Sequence, residues 1–118
     1  MTPLLGNLYA ALAQDARFAE QTFDVILANP PYIPEFPGVG HNEEVFGGGG
    51  LTGEDITERI VRGAASALTA SGRMHITTNI MQPTGWQRKV DRWWAGGACS
   101  FQVLHGQAWT NKYYAGLV

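Results

Sequence analysis

An α/β fold with a parallel sheet is what this sequence predicts, and three segments carry the expectation. Phe23-Asp-Val-Ile-Leu-Ala28 is a nearly continuous apolar run with β-branched Val25 and Ile26, the pattern of a strand buried on both faces. Ile56, Ile60, Val61, Ala64, Ala67 and Leu68 then recur at the helical period, with Glu58, Arg59 and Arg62 mostly off that face. Arg73 to Thr78 alternates and is rich in β-formers, so strand, helix and strand follow one another as in a right-handed crossover.

The remaining elements attach to this unit in chain order. Leu8 to Phe18 places Leu8, Leu12 and several alanines at helix-compatible spacing, interrupted by Asp15 and Arg17, which predicts a short helix. Pro30 and Pro31 end the first strand because neither donates to a ladder. Residues 33–53 hold Pro34, Pro37 and glycines at 38, 40, 47–50 and 53, too many breakers for a regular element, so a long loop is expected. Thr52 followed three residues later by Asp55 reads as a capping box, and Ser71-Gly72 as the helix stop. Thr84 to Ala95 reads as another helix with Trp86, Val90 and Trp93 or Trp94 on one face, ended by Ala95-Gly96-Gly97. Cys99–Leu104 and Trp109–Val118, separated by His105-Gly106-Gln107, suggest an antiparallel hairpin. The expected order is β-α-β-α-β-β within one domain, residues 1–118.

Composition narrows the function classes. The chain has 118 residues, is 45% hydrophobic and carries a formal charge of −2, so nothing global attracts phosphate and any nucleic-acid contact must be local. One cysteine, Cys99, forms no internal disulfide and fits a reducing compartment. No stretch reaches the roughly 20 apolar residues of a membrane span, and Met1-Thr-Pro-Leu-Leu-Gly lacks a signal-peptide pattern. The expected location is the cytoplasm.

The chemistry concentrates at Asn29-Pro30-Pro31-Tyr32. In a parallel α/β sheet, ligands gather outside the carboxyl ends of the strands, and these residues follow one. The Asn29 side-chain oxygen and the Pro30 carbonyl can accept both hydrogens of an amino or amide group, leaving its nitrogen lone pair aimed outward. Tyr32 can stack on a planar group, and the prolines pre-order the backbone.

Residues 23–32, Phe-Asp-Val-Ile-Leu-Ala-Asn-Pro-Pro-Tyr, closely resemble the fourth-strand motif of S-adenosylmethionine-dependent N-methyltransferases. The extended form Asn-Pro-Pro-Tyr-Ile-Pro, with a later Gly-Gly-Gly-Leu-Thr-Gly before a helix, is most similar to the release-factor glutamine methyltransferase group. Ribosomal and adenine-N6 methyltransferases share the shorter motif. The resemblance spans most of residues 6–79. It implies a Rossmann-like class I sheet, Asn29, Pro30 and Tyr32 as catalytic residues, and Pro31 beside them in the substrate site. It also implies S-adenosylmethionine as cofactor, near Asn7, Leu8 and Asn29. A protein glutamine amide is the preferred acceptor, and adenine or guanine in RNA or DNA is the alternative.

The family pattern also includes a glycine-rich turn after the first strand and an acidic ribose-binding residue, which have no counterpart here, and Asn7 stands where an aspartate is usual. The chain thus resembles the carboxyl-terminal half of the catalytic domain. Phe23–Ala28 is then expected to be left as an unpaired apolar edge, so the chain either pairs this edge with another copy or is poorly stable. A catalytically inactive, oligomeric remnant is the competing reading.

Other candidate motifs have plainer explanations. The tetraglycine 47–50 lacks a Gly-Lys-Ser/Thr ending and is expected to be a hinge or lid. Glu43 and Glu44 are adjacent loop carboxylates without fixed geometry. His41, His75 and His105 have no metal-ligand spacing, so no metal is assigned. Trp86-Gln87-Arg88-Lys89 with Arg92, Trp93 and Trp94 mixes cations and rings as nucleic-acid surfaces do, yet helical spacing of the tryptophans also explains them as packing. Lys112, Tyr113 and Tyr114 are expected to pack within the hairpin.

Overall fold

The computed structural model describes residues 1–35, 48–82 and 84–104. These form a small α/β unit of three helices and two parallel strands, in the order α1 (Ala10–Gln14), β1 (Phe23–Ala28), α2 (Asp55–Ala67), β2 (Leu68–Ile76) and α3 (Trp86–Trp93). The expected β-α-β unit is therefore present. Of the two strands expected beyond α3, residues 99–104 run without strand pairing, and Trp109–Val118 lies outside the described residues, as do Glu43, Glu44, His41 and His105. Phe101 instead turns back onto α3, meeting Trp86 edge-on with ring centroids 5.7 Å apart.

α2 organises the fold because its apolar stripe matches the helical period over almost four turns. Ile60, Val61, Ala64 and Ala67 are buried, and Trp93 of α3 joins them. Tyr9 at the start of α1 crosses the outside of α2, its hydroxyl donating to the Ile60 carbonyl at 2.8 Å. Its ring lies where a Cβ on Gly63 would stand, so only glycine allows that approach. Burial pushes the Tyr9 phenol above its ordinary pKa.

The expected capping box is modified. Thr52 Oγ1 donates to Asp55 Oδ1 at 2.9 Å and accepts from the Glu54 amide at 3.2 Å, which closes a turn ahead of the helix. The helix itself begins at Asp55, with Glu54 as an N-cap whose side chain makes no capping bond.

Ser71-Gly72 does not stop α2. The helix ends at Ala67 and the chain enters β2 at Leu68 without a turn. The breaker acts inside the strand: Phe23 pairs with Leu68 and Val25 with Arg73, so Asp24 alone opposes the four residues 69–72 of β2. The extra residues bulge out, and Thr69 Oγ1 fastens the bulge by donating to Asp24 Oδ1 at 3.0 Å. From Val25↔Arg73 to Ala28↔Ile76 the register is regular, and the Thr77 amide extends it to the Ala28 carbonyl at 2.9 Å.

β1 departs from the expectation of burial on both faces. Ile26, Ala28, Met74 and Ile76 are half-buried, whereas Val25 is 54% and Leu27 76% exposed beside exposed Arg73 and His75. Among the described residues the sheet has two strands, one face of β1 lies open, and its far edge has no partner. A two-stranded sheet needs a packed helix to persist, and α2 is that helix here.

α2, α3 and the segment after β2 meet at one ion pair. Lys89 Nζ reaches Glu54 Oε2 at 2.8 Å and Oε1 at 3.0 Å, and also donates to the Met81 carbonyl at 2.8 Å. The Met81 amide donates to Glu54 Oε1 at 2.7 Å. Side-chain exposure is 17% for Lys89 and 9% for Glu54, so loss of one partner leaves a nearly buried charge unmatched. Lys89→Met is expected to lower unfolding stability by roughly 3 kcal/mol, read as a fall in the urea midpoint at unchanged slope. An unchanged midpoint would mean that the pair does not hold these elements together.

Candidate functional site

Parallel pairing puts the carboxyl ends of β1 and β2 on the same side of the sheet, where three loop segments converge. Asn29–Tyr32 leaves β1, Thr77–Met81 leaves β2, and Gly48–Glu54 leads into α2. The Thr57 and Thr78 hydroxyls share a hydrogen bond of 2.9 Å, which fixes the amino end of α2 against the exit of β2. This is the crevice position at which open α/β sheets bind ligands.

Asn29 is exposed while Pro30 directly after it is buried. The ring of Pro30 anchors the turn, and the amide ahead of it projects outward. Among the described residues, neither the Asn29 side chain nor the Pro30 carbonyl has a hydrogen-bond partner. Two acceptors therefore stand ready for donors from outside. Tyr32 is 36% exposed and lies three residues along the same turn.

The glycine segment braces this turn. Ile33 bridges Gly48, the Gly49 amide donates to the Ile33 carbonyl at 2.9 Å, and the Glu35 amide donates to the Gly50 carbonyl at 2.8 Å. The Asp55 amide, in turn, donates to the Gly49 carbonyl at 3.0 Å. Residues 48–50 thus form a backbone splint between Ile33–Glu35 and α2, where a hinge or lid was expected. Gly53 completes it at φ +78, and a Cβ there would lie 2.6 Å from the Tyr32 carbonyl oxygen. Both the left-handed backbone and the close approach demand glycine.

Asn7, expected with Leu8 near a cofactor, is hydrogen-bonded to α2. Asn7 Oδ1 accepts from Arg59 Nη2 at 2.9 Å, and its carbonyl accepts from the Ala10 amide at 3.1 Å. Leu8 turns through φ 50 to start α1. The Asn7 side-chain oxygen is therefore spent on α2, and no hydrogen bond links it to Asn29–Tyr32.

The tryptophan-rich helix divides its residues between packing and surface. Trp93 is buried, Trp94 Nε1 donates to the Gly97 carbonyl at 2.9 Å, and Lys89 lies over the Trp93 ring at 5.9 Å while paired to Glu54. Packing accounts for these residues. Sequence reasoning missed the Glu54–Lys89 pair and the glycine splint; the legible signals were an acid at a helix start and a glycine run adjoining a proline turn.

No protein-family model and no solved structure matches this chain. No helix among the described residues is long and apolar enough to cross a membrane, and none of their His, Cys, Asp and Glu side chains cluster as a metal site.

Gly53→Ala tests the splint. The left-handed backbone alone costs about 1–2 kcal/mol with a side chain, and the clash with Tyr32 adds to it, so a lower melting temperature and altered Tyr32 fluorescence are expected. Unchanged values in both readouts would show that the splint does not shape the turn.

Proposed function

We propose that the Asn29–Tyr32 turn is the acceptor-binding part of an N-methyltransferase acting on a planar nitrogen, with a protein glutamine amide as the preferred substrate. One observation supports this reading: an exposed Asn29 amide, without a hydrogen-bond partner among the described residues, stands beside a buried Pro30 at the carboxyl end of a parallel strand. Asn29 Oδ1 and the Pro30 carbonyl would each accept one N–H of the amide. Held this way, the nitrogen lone pair points away from the protein, and orientation replaces a strong base. Tyr32 would lie along the amide plane, and Pro31 limits the freedom of the turn.

The methyl group would come from S-adenosylmethionine, as the motif resemblance implies. This chain would contribute the grip on the acceptor, and the cofactor site is left unassigned. In the methylating protein, Asn29→Ala is expected to lower kcat at least 100-fold, from loss of acceptor orientation. Calorimetric affinity for S-adenosylmethionine should change little. Turnover equal to the parent would remove Asn29 from the mechanism.

A second reading, an inactive module that associates through β1, is favoured by the open strand edge and by Val25 and Leu27 at 54% and 76% exposure. Unpaired apolar edges template pairing. Sedimentation is expected to show self-association that Val25→Lys with Leu27→Lys abolishes. A monomer at all concentrations, or association indifferent to these changes, would eliminate the β1 edge as an interface.

A further inference from the structure

The face of the sheet that presents Asn29 carries a second uncommitted polar side chain, and strand register places it. Ala28 pairs with Ile76, and the Thr77 amide, donating to the Ala28 carbonyl at 2.9 Å, continues that parallel register by one residue. Thr77 therefore stands across from Asn29. Exposure alternates along both strands: Val25, Leu27 and Asn29 are exposed on one, Arg73, His75 and Thr77 on the other, while Ile26, Ala28, Met74 and Ile76 are half-buried. Asn29 and Thr77 thus share the open face, on neighbouring chain segments about 4.8 Å apart.

The two threonines at the exit of β2 are divided by this alternation. Thr78 is half-buried, and its hydroxyl is shared with Thr57 at 2.9 Å, so it holds α2 to the strand. Thr77 is exposed, and its hydroxyl has no hydrogen-bond partner among the described residues. A primary carboxamide has two N–H donors and one carbonyl acceptor. With the N–H groups held by Asn29 Oδ1 and the Pro30 carbonyl, its oxygen still lacks a donor, and a threonine hydroxyl turns to supply one.

We propose that Thr77 is a further substrate-binding residue of the acceptor site, its hydroxyl donating to the carbonyl oxygen of the carboxamide whose nitrogen Asn29 and Pro30 hold. Thr77 has this role only if Asn29 is the acceptor grip, so it rests on that reading and narrows it. A site with acceptors for the N–H groups and a donor beside them selects a nitrogen flanked by an acceptor over an isolated amino group. Losing the donor leaves the substrate carbonyl to water, at a modest cost because the site is open.

The experiment needs no methyl donor. The full chain is titrated with N-acetylglutamine methylamide, and with the analogue whose side-chain carbonyl is a thiocarbonyl, while the backbone amide resonances of Asn29, Tyr32 and Thr77 are followed by nuclear magnetic resonance. Thr77→Val should weaken binding of the glutamine probe roughly 3–10-fold, the net worth of one hydrogen bond, and Thr77→Ser should restore it, with circular dichroism unchanged in both. The penalty should largely disappear with the thiocarbonyl probe, whose sulfur is the weaker acceptor. If Asn29→Ala weakens glutamine binding and Thr77→Val does not, Thr77 is overturned while the acceptor reading stands, and the carbonyl then belongs to Asn29 Nδ2. An equal Thr77→Val penalty on both probes would also overturn it, as a structural effect. No binding by the parent chain, or binding indifferent to Asn29→Ala, would remove the acceptor reading and Thr77 with it.

Discussion

The Glu54–Lys89 pair is the constraint on which the rest of the architecture depends. The hydrophobic core of the described residues is thin: Ile60, Val61, Ala64, Ala67 and Trp93 are its buried apolar side chains. A core of that size aligns α2 with its neighbours but does not specify how the amino end of α2, the exit of β2 and the middle of α3 meet. Glu54 specifies it, since one carboxylate receives both the Met81 amide and the Lys89 ammonium. Low exposure makes any other arrangement expensive, because each charge would lose its opposite charge in a site with little water.

That junction has a direct consequence for the carboxyl end of the sheet. With β2 held at Met81 and α2 held at Glu54, the Thr57–Thr78 hydrogen bond and the splint at residues 48–50 follow as local completions. The Asn29 turn is thereby rigid on its inner side, through Pro30 and Pro34, and open on its outer side, through Asn29 and Tyr32. Rigid acceptors facing solvent are what a group-gripping site requires, since little ordering remains to be done on binding. The same junction divides the cations of α3: it consumes Lys89 and leaves Arg88 and Arg92 on the surface.

Much of this was legible from residue patterns. Strand, helix and strand were readable at 23–28, 56–68 and 73–78 because each pattern repeats at the period of its element. The proline turn was readable because Pro30 cannot extend a ladder. Other features depended on which partners were present. Ser71-Gly72 looked like a helix stop, yet the strand pairing turned it into a bulge. Cys99–Leu104 has strand composition, yet residues 99–104 run without strand pairing and Phe101 packs against Trp86 instead.

The sequence by itself determined the parallel β-α-β unit, the position of the Asn29–Tyr32 turn at its carboxyl end, and the apolar face of α2, because these follow from local periodicity and backbone chemistry. Tertiary structure alone decided that Asn7 pairs with Arg59, that glycines 48–50 act as a splint, and that Lys89 is bound to Glu54 while Arg88 and Arg92 stay on the surface. Each of those outcomes is a choice among partners distant in the chain, and the energy of a polar side chain depends on which partner it meets and how much water remains.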